Sequence, residues 1–394
     1  MKLTLTLLFA LLLPFAMAGN ALSASQSSTV SKVAINDPGT PPKLSARSFA
    51  LYDYTSGQVL HEQNSHERIE PASLTKLMTA YITFAALKQN KISLGDRVTP
   101  SIEAIRTQRS DARMYLERSK TVTVAELLRG LIIISANDAA RALAETIAKS
   151  EINFVELMNK EAKRLGMNDT HFVNSSGMPD AMHYSSAHDL ALLASAIITD
   201  FPEHTPLYAQ KEYEYNNVKH YNRNRLLWLD PHVDGMKTGH TESAGYSLVA
   251  TANRNNHRLI SVVIGTSSDN LRSSESQRLL NHGYQNFEIF YLYKTDQAVS
   301  NIRLWKGTEN TLKVGIKGGL TLTLPTGQRA LLKASIETQQ PLLAPISDNQ
   351  QVGVLKLTLD GKPYLELPLV ALEPVAEANI FSRGIDNIRM IFSK

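Results

Sequence analysis

The sequence predicts an α+β domain, then a small all-β sandwich, then a C-terminal amphipathic helix. Three observations predict this order. Strand patterns flank a run of helical patterns between residues 46 and 288. Short alternating runs separated by Gly, Pro and Asn fill residues 291–374, and apolar residues recur at helical spacing over 375–394. The chain of 394 residues also exceeds the ~250–300 residues of a single core, which favours two domains.

The N-terminal segment, residues 1–24, is predicted to be a secretory signal peptide. Lys2 gives it a positive start, residues 3–16 are almost wholly apolar, and the small-x-small triplet at 16–18 is typical of a cleavage site. The apolar run is shorter than the ~20 residues of a membrane span, and an uncleaved anchor is the alternative. Residues 25–45 are rich in Ser, Thr and Pro and are predicted to be a linker.

The amino-acid composition excludes several kinds of chemistry. The chain has no Cys, so disulfides, cysteine-ligated metals and thiol catalysis are excluded. Its eleven His show no paired spacing such as H-E-x-x-H, so neither a metal nor another cofactor is expected. The net charge is +4 and the Lys and Arg residues are interspersed with acidic ones, so a nucleic-acid partner is not expected.

The first domain opens with one hairpin pattern and ends with another. Apolar runs at 49–52 and 59–60 flank a Thr-Ser-Gly turn, and runs at 245–250 and 259–264 flank a second turn. The helical patterns between and after them cover residues 71–85, 124–134, 139–148, 152–165, 185–197 and 274–290. This order predicts helices packed on an antiparallel sheet.

The second domain shows only strand patterns. They cover residues 310–314, 320–324, 330–336, 352–359 and 364–369. No cluster of catalytic residue types occurs among them, so a spacer or a partner-binding module is the default interpretation.

The last segment, residues 375–394, has the pattern of an amphipathic helix. Its apolar positions are Phe381, Ile385, Ile388 and Phe392. Its basic residues are Arg383, Arg389 and Lys394. A helix of this kind can lie on an anionic membrane surface. It can equally pack inward on its own domain, and the periodicity alone does not decide between the two.

Three short motifs occur in one order along the first domain. They are Ser73-x-x-Lys76, Ser135-x-Asn137 and Lys237-Thr238-Gly239. Each motif alone is weak, because such short patterns arise by chance in many chains. Their conjunction is strong, because each falls on an element suited to nucleophilic catalysis: a buried helix start, a helix–helix junction and a strand before a hairpin.

The first motif pairs a nucleophile with a base. Ser73 and Lys76 are three residues apart at a helix start and therefore share one face. A serine becomes a good nucleophile only when a neighbouring base takes its proton. A buried lysine can be that base if desolvation and a nearby positive charge lower its pKa, and Lys237 is the candidate for that charge. A solvated Ser–Lys pair is the alternative, which the apolar residues around it disfavour.

The second and third motifs supply polar groups around that pair. Ser135 and Asn137 can be simple helix caps; in a catalytic role Ser135 relays a proton to the leaving amine, and Asn137 binds the substrate amide and positions Lys76. The third motif is predicted on an edge strand, where Gly239 lets a peptide backbone approach and add to the sheet. Lys237 and Thr238 then contact a terminal carboxylate.

The predicted oxyanion hole consists of two backbone N–H groups. They belong to Ser73, at the helix start, and to His240, directly after the third motif. The helix N-terminus adds a partial positive charge at the same place. Each such donor contributes roughly 3 kcal/mol to an acyl-transfer reaction.

Taken together, these residues resemble the low-molecular-mass penicillin-binding proteins that act as serine-type D-alanyl-D-alanine carboxypeptidases. The close matches are EPASLTKLMT (70–79), SANDAA (135–140), GMKTGHT (235–241) and AGYSLVA (244–250). The resemblance implies a penicillin-binding/β-lactamase-like domain at 46–288, a β-rich domain at 291–374 and a membrane-anchoring helix at 375–394. It also implies export to the periplasmic face of the cytoplasmic membrane.

The resemblance further implies the reaction. Ser73 attacks the bond between the two terminal D-alanines of a peptidoglycan pentapeptide, D-alanine leaves, and water hydrolyses the acyl-enzyme. β-Lactam antibiotics imitate the substrate and acylate the same serine. An arginine after the third motif helps to hold the substrate carboxylate, and Arg272 matches it, although Arg272 can alternatively cap the next helix. The loop at 175–180 departs from the family versions, so no role is assigned to Asp180.

Rival functions stay open on the sequence alone. A class A β-lactamase uses a glutamate for deacylation, and no Glu-x-x-Leu-Asn-like motif lies between Asn137 and Lys237. A DD-endopeptidase would use the same machinery on a cross-link. A non-catalytic wall-binding protein would suit the β-rich domain and the anchor, but it has no need for the five polar residues Ser73, Lys76, Ser135, Asn137 and Lys237.

Overall fold

The structure is a computed structural model that describes residues 40–106 and 111–392. The predicted signal peptide at 1–24 and most of the predicted linker at 25–45 lie outside the described residues. The strands of the first domain are β1 (Ser48–Asp53), β2 (Gln58–Gln63), β3 (Arg97–Val98), β4 (Val122–Thr123), β5 (Glu212–Tyr215), β6 (Val218–Tyr221), β7 (Val233–Thr241), β8 (Gly245–Arg254) and β9 (His257–Thr266). Its helices are α1 (Lys76–Lys88), α2 (Ile102–Ile105), α3 (Val124–Arg129), α4 (Asn137–Ala148), α5 (Glu151–Arg164), α6 (Ala187–Asp200), α7 (Pro206–Ala209), α8 (Leu226–Leu229) and α9 (Asp269–Asn286).

A five-stranded antiparallel sheet with the order β2-β1-β9-β8-β7 forms the centre of the first domain. Successive residues of its strands face two separate cores. On one face Ala50 and Val262 join the core that contains α1, α4 and α6, and on the other Leu51 and Val263 join the core that contains α9. Strand β7 lies at the edge of the sheet, which confirms the placement predicted for the third motif.

The helix after the first hairpin is buried on nearly all sides, as its almost continuous apolar sequence predicts. It begins as a 3-10 turn, Ala72–Thr75, and continues as α1. Ala72 has a φ of +48°, a left-handed conformation that costs a non-glycine residue about 1–2 kcal/mol. The turn places Ser73 half-buried and Lys76 fully buried on neighbouring positions of one face.

The closing helix of the first domain differs from its prediction at both ends. The sequence predicted a helix over 274–290, whereas α9 begins at Asp269, after the capping residue Ser268, and ends at Asn286. From Phe287 onward the chain is a strand, β10 (Phe287–Tyr293). Its residues are aromatic and β-branched, and their pairing with a later strand outweighs the local helical pattern.

The second domain is the predicted all-β sandwich. After β10 its strands are β11 (Ala298–Arg303), β12 (Thr311–Gly315), β13 (Leu320–Pro325), β14 (Leu332–Thr338), β15 (Gln351–Leu359) and β16 (Lys362–Ala371). They form a five-stranded sheet with the order β11-β12-β16-β15-β14 and a two-stranded sheet of β10 and β13. The core between them is mostly aliphatic, with Leu322, Leu355 and Leu369 at its centre and one aromatic residue, Tyr364. The sequence did not predict β10 and β11.

A buried polar junction connects the two domains. Thr323 of β13 donates its hydroxyl proton to a carboxylate oxygen of Asp53 at 2.5 Å, and the same oxygen lies 2.6 Å from Nε2 of His257. Gln58 accepts the Thr323 N–H at 2.7 Å and donates to Tyr364 at 2.7 Å. Side chains from both domains therefore satisfy each other's hydrogen bonds at the boundary.

The C-terminal segment folds as α10 (Ile380–Phe392). Its polar side contacts the second domain, because the buried carboxylate of Asp386 accepts the N–H of Lys306 at 2.7 Å. Its apolar side faces outward, and Phe381 is 81% exposed and Ile388 is 61% exposed. No helix in the described part of the chain has the length and apolarity needed to cross a bilayer.

Candidate active site

A cleft of about 850 Å³ opens between the edge strand β7, the 3-10 turn before α1 and the junction before α4. Seven of the predicted site residues line it: Ser73, Ser135, Asn137, Thr238, Gly239, His240 and Arg272. The two remaining predicted residues, Lys76 and Lys237, lie directly beneath Ser73 and Ser135 and are hydrogen-bonded to them. The fold thus brings all three motifs to one place.

The side-chain nitrogen of Lys76 has three polar contacts. Its Nζ is 2.7 Å from Oδ1 of Asn137, 2.6 Å from the carbonyl oxygen of Ser176 and 3.0 Å from Oγ of Ser73. The first two atoms can only accept hydrogen bonds, whereas a serine hydroxyl can donate. A neutral amine has two N–H donors and one lone pair, so it satisfies all three contacts when Ser73 donates its proton to Nζ. This is the arrangement of a general base and its nucleophile.

Burial favours that neutral amine. Burial, followed by the positive charge of Arg223, lowers the pKa of Lys76 to about 7, against the opposing effect of Asp111. The motifs predicted that Lys237 supplies this charge, but Arg223, which also lines the cleft, is the leading charged contributor. Arg223 was not predicted, because it lies 14 residues before Lys237 in the sequence, outside all three motifs.

The second buried lysine is paired with the second motif. Nζ of Lys237 lies 2.8 Å from Oγ of Ser135 and 3.0 Å from the carbonyl oxygen of Thr238. Burial lowers the pKa of Lys237 well below its ordinary value, and the charges of Lys76 and Arg223 lower it further. Ser135 has a φ of +65°, so its backbone is held in a left-handed conformation that directs the hydroxyl to this lysine. The pair can pass a proton between the cleft and Lys237.

Asn137 and its neighbour Asp138 connect the second motif to the cleft wall. Oδ1 of Asn137 accepts from Lys76, so the amide NH₂ group is left on the cleft side, where its contact is the Met178 sulfur at 3.4 Å. The carboxylate of Asp138 accepts the backbone N–H groups of Met114 and Leu116. Asn137 is not a helix cap, because Ala136 occupies that position without a side-chain cap bond. The Asn137 amide instead accepts from Lys76 and keeps a donor available for an amide ligand.

A loop at residues 174–178, which the sequence analysis did not include in the site, supplies the third contact of Lys76. Asn174 organises it, because its Oδ1 accepts the N–H groups of Gly177 at 2.7 Å and Met178 at 3.0 Å. Thr79 donates to the carbonyl of Ser175 at 2.6 Å. A Cβ on Gly177 would lie 1.8 Å from the carbonyl oxygen of Ala72, so the loop and the nucleophile turn are in direct contact.

A buried histidine fixes the same loop to the first motif. Nδ1 of His183 accepts the N–H of Val173 at 3.1 Å, so its other nitrogen, Nε2, carries the proton and donates to Oγ1 of Thr75 at 2.8 Å. Burial lowers the pKa of His183 to about 4, which keeps it neutral. An Asn or a His in a polar loop is too common a pattern for the sequence to reveal either contact.

The third motif forms the opposite wall of the cleft. Thr238, Gly239 and His240 line it from the edge strand β7. The structure adds a reason for Gly239 that the sequence did not predict: a Cβ there would lie 3.0 Å from both the carbonyl oxygen of Pro71 and a carbon of Leu74. The missing side chain thus lets β7 approach the turn that carries Ser73.

Arg272 lies on α9 and reaches the third motif. It is buried, one guanidinium NH₂ group donates to the carbonyl of Gly239 at 3.1 Å, and another pairs with Asp269. Its Nε has no hydrogen-bond partner among the described residues. The alternative that Arg272 only caps a helix does not fit a residue in the first turns of α9 that lines the cleft. Asp180 does not line the cleft.

The cleft therefore combines a serine with a buried lysine whose pKa is lowered to about 7, a second serine with a second buried lysine, and an edge strand beside an arginine. This set can carry out acyl transfer from a peptide that ends in a carboxylate. Among the described residues no group of three or more His, Asp or Glu side chains is arranged to hold a metal ion. In the described part of the chain, the carboxylates on the cleft lining are Asp111 and Glu242.

The comparisons with known proteins agree in both domains. Residues 35–268 match the D-alanyl-D-alanine carboxypeptidase family, and residues 287–377 match the C-terminal domain of penicillin-binding protein 5. The chain is 42% identical over 357 residues to D-alanyl-D-alanine carboxypeptidase DacC of Escherichia coli, an alignment that covers 89% of each chain. It is also 42% identical to DacA of Haemophilus influenzae, with 87% of this chain and 88% of that one covered.

Solved structures show the same similarity. Penicillin-binding protein 5 from Haemophilus influenzae superposes with a TM-score of 0.83 at 41% identity, covering 86% of this chain and 100% of that one. The D-alanyl-D-alanine carboxypeptidase DacD from Francisella tularensis superposes with a TM-score of 0.72 at 33% identity, covering 88% of this chain and 97% of that one.

Proposed function

The chain belongs to the D-alanyl-D-alanine carboxypeptidase family and is a serine-type, penicillin-binding carboxypeptidase; from this premise we propose how its residues perform the reaction. Ser73 is the nucleophile and Lys76 is its general base. The observation that carries this proposal is the hydrogen-bond set of Lys76, whose two carbonyl acceptors leave its lone pair for the Ser73 hydroxyl. The pKa of about 7 keeps a substantial neutral fraction at neutral pH.

Acylation proceeds along the edge of the sheet. A peptide that ends in D-Ala-D-Ala lies beside β7, with its terminal carboxylate bound by Thr238 and Arg272 and its amide facing Asn137. Ser73 attacks the penultimate carbonyl carbon while its proton passes to Lys76, and the backbone N–H groups of Ser73 and His240 stabilise the oxyanion. The C–N bond then breaks, and Ser135, hydrogen-bonded to Lys237, delivers a proton to the departing D-alanine amine.

Deacylation uses the same base. The proton that Lys76 took from Ser73 first replaces the one that Ser135 and Lys237 gave to the amine, so that Lys76 is neutral again. Lys76 then takes a proton from a water molecule that attacks the acyl-enzyme ester, and this proton returns to Oγ of Ser73 as the product acid leaves. Among the described residues, Lys76 is the base that is hydrogen-bonded to Ser73. Glu151, a carboxylate close to the cleft loop, is engaged by the N–H and hydroxyl of Ser175. A carboxylate-driven β-lactamase mechanism is therefore not supported, and β-lactam adducts are expected to hydrolyse slowly.

The test uses purified wild type and Ser73→Ala with a fluorescent penicillin and a pentapeptide that ends in D-Ala-D-Ala. We expect a covalent adduct and released D-alanine from the wild type and neither from the variant. Loss of both signals in a folded wild-type protein would contradict the proposal. Rapid hydrolysis of penicillin without release of D-alanine would identify a β-lactamase instead.

We also propose that the protein is exported and that α10 holds it on the outer, periplasmic face of the cytoplasmic membrane. Three exposed apolar residues of α10 support this proposal: Phe381, Ile385 and Ile388. Arg383 and Arg389 add positive charge beside them. A helix with this distribution lies in the interface of an anionic membrane without crossing it. Its polar side is already occupied by the contact of Asp386 with the second domain.

Vesicle co-sedimentation tests the membrane proposal. Ile385→Glu combined with Ile388→Glu should abolish binding to vesicles that contain anionic lipids. Leu331→Glu serves as the matched control. It introduces the same charge at an apolar side chain of the second domain that is 42% exposed and lies outside α10. Equal vesicle binding by the double variant and the wild type would refute the role of α10. We also expect that deleting residues 375–394 leaves catalysis in solution unchanged.

A further inference from the structure

The wall of the cleft beside β7 carries one aromatic side chain that the mechanism proposed above does not use. Tyr246 is the second residue of β8, within the stretch AGYSLVA (244–250), and it lines the cleft. It is half-buried, and its hydroxyl group makes no hydrogen bond within the described residues. The side chain therefore contacts its neighbours through the ring.

The Tyr246 ring packs against His240 of the adjacent strand. The two residues are paired in the register of β7 and β8, so their side chains project from the same face of the sheet. Their ring centroids are 3.9 Å apart, with 33° between the ring planes. The carbonyl oxygen of Tyr246 accepts the hydroxyl of Thr266 at 3.1 Å, which ties its backbone to β9. Both neighbouring strands thus hold the ring in place.

The guanidinium group of Arg272 lies over the same ring. Its central carbon is 5.5 Å from the ring centroid of Tyr246, within the range of about 6 Å over which a cation is attracted to an aromatic face. Arg272 is 6% exposed, and such an attraction is strongest when the cation is removed from water. The other contacts of the guanidinium are hydrogen bonds at its edge, to the carbonyl of Gly239 and to Asp269. Tyr246 thus connects an arginine of α9 to the strand that carries the third motif.

Holding the arginine in place has a consequence for substrate binding. An arginine side chain has many rotamers, and ordering it when a substrate binds lowers the affinity. Contacts that order it beforehand therefore strengthen the binding of a carboxylate without touching the substrate. A peptide that ends in an amide has no negative charge for Arg272 to bind, so the same ordering matters less for it.

We propose that Tyr246 is a positioning residue that sets the preference of the enzyme for a free terminal carboxylate. It acts through Arg272, whose guanidinium it holds beside the third motif, and it does not act on the reacting atoms. The inference rests on the proposed function, because it takes the terminal carboxylate of the peptide to lie at Arg272.

Two acetyl-capped peptides that differ only at the C-terminus test this role. One ends in D-Ala-D-Ala with a free carboxylate and the other in D-Ala-D-alaninamide, and the measurement is the ratio of their kcat/KM values, carboxylate over amide. Tyr246→Leu should lower this ratio about tenfold, through a higher KM for the carboxylate peptide, in line with a desolvated cation–aromatic contact. Tyr246→Phe retains the ring and should keep the ratio within twofold of the wild type.

A second substitution distinguishes action through the arginine from direct contact with the substrate. Arg272→Gln alone should lower the ratio at least as much as Tyr246→Leu does. When Arg272→Gln is already present, adding Tyr246→Leu should not lower the ratio further. Tyr221→Leu is the matched control, because Lys219 lies 5.6 Å from the Tyr221 ring centroid and this tyrosine is exposed and does not line the cleft.

Three results would overturn the positioning role. The first is an unchanged ratio in Tyr246→Leu. The second is an equal loss on both peptides, which would show that the ring only supports the sheet. The third is a further tenfold loss when Tyr246→Leu is added to Arg272→Gln, which would show that the tyrosine acts independently of the arginine.

A fluorinated ring keeps the test decisive if circular dichroism shows that Tyr246→Leu does not fold. Tyr246→Phe with a trifluorinated ring keeps a planar aromatic side chain, but its face attracts a cation less. We expect the ratio to be several-fold lower than in Tyr246→Phe with an ordinary ring. Equal ratios for the two rings would overturn the role of Tyr246.

Labelling of Ser73 by a saturating concentration of fluorescent penicillin is measured in every variant. A wild type with neither labelling nor peptide cleavage would overturn the proposed function as well. Normal labelling and D-alanine release by the wild type, with a ratio that does not depend on Tyr246, would overturn only the positioning role.

Discussion

The two domains differ in what they bury. The first domain encloses two lysines, Lys76 and Lys237, which are 1% and 2% exposed, at the base of its cleft. In the second domain, the described residues of the core are aliphatic apart from Tyr364, and the buried hydroxyl groups of Thr323 and Tyr364 both hydrogen-bond to the first domain. Burying a charge opposes folding, whereas burying a leucine favours it. The first domain thus gives up folding free energy to hold reactive groups, whereas the core of the second domain gains folding free energy from apolar packing.

The comparison also shows how the buried charges are tolerated. Lys76 has three polar contacts and Lys237 has two, and burial lowers the pKa of each. A lowered pKa means that the amine sheds its charge rather than remaining an unpaired cation. The same shift provides a base near neutral pH, so one physical effect relieves the folding cost and serves the reaction.

The largest expected difference between the domains is in catalysis. Lys76→Met should reduce D-alanine release by roughly 10³-fold, because general-base catalysis contributes about 10²–10⁴-fold, while the protein stays folded. Steady-state kinetics and penicillin labelling measure the loss, and circular dichroism reports the fold. Lys88→Met changes an exposed lysine at the other end of α1 and is the control. Activity of Lys76→Met within tenfold of the wild type would exclude Lys76 as the base.

The opposite behaviour is expected from the core of the second domain. Leu355→Ala removes a fully buried side chain and should lower the free energy of unfolding of that domain by about 2–5 kcal/mol. D-Alanine release at low temperature should stay within twofold of the wild type. Denaturant unfolding and kinetics on the same preparation provide both numbers. If catalysis fell in proportion to stability, the second domain would be part of the active machinery and the division of roles would be wrong.

Two glycines with the same backbone angle sharpen the comparison. Gly177 and Gly327 both have a φ of +81°, but a Cβ on Gly177 would lie 1.8 Å from a carbonyl oxygen, whereas a Cβ on Gly327 meets no atom within 4 Å. Gly327→Ala should lower the free energy of unfolding by only about 1–2 kcal/mol, which is the cost of a left-handed backbone for a residue other than glycine. Gly177→Ala should lower the free energy of unfolding by more than Gly327→Ala does. It should also lower kcat, because the loop that contacts Lys76 must move to make room for the new Cβ. Equal effects of the two variants on thermal melting and kcat would show that the loop is not held rigidly.

The smallest expected effect is a shift in pH dependence. Neutral Lys76 is the active form, so kcat/KM should fall as the pH drops below about 7, the pKa of this lysine. Arg223→Gln removes the leading positive charge that lowers this pKa, so the pKa rises and the acidic limb moves to higher pH. Activity at neutral pH should fall several-fold and recover at alkaline pH. A pH profile measured for acylation by penicillin checks this, and an unmoved limb would show that Arg223 does not act on Lys76.

Much of the site followed from the sequence because its residues occur in short motifs with fixed spacing. Ser73 and Lys76 lie one turn apart in any helix, so local geometry predicts that the two share a face. Ser135 and Asn137 were recognised from their position between two helical patterns. Gly239 was predicted on an edge strand from the hairpin pattern that follows it. These inferences needed only the periodicity of helices and strands.

The contacts that the sequence missed come from single residues far from the motifs. Arg223, Asn174 and His183 have no pattern of their own, and each acts through a neighbour that only the fold brings close. The error at the end of α9 has the same origin. Strand β10 is defined by its pairing with β13, and a pairing between segments far apart in sequence leaves no local signature.

By itself, the sequence determined the fold class, the order of the domains and the pair that we propose as nucleophile and base, because periodicity and motif spacing are local properties of the chain. Only the tertiary structure decided that Lys76 is held by the Ser176 carbonyl, that Arg223 is the charge beside it, and that the apolar side of α10 faces outward. These are facts about distance, burial and solvent exposure, which depend on how distant segments pack. The reactivity of Lys76 depends on both the sequence and the fold, since the sequence places it one turn from Ser73 and the fold sets its pKa.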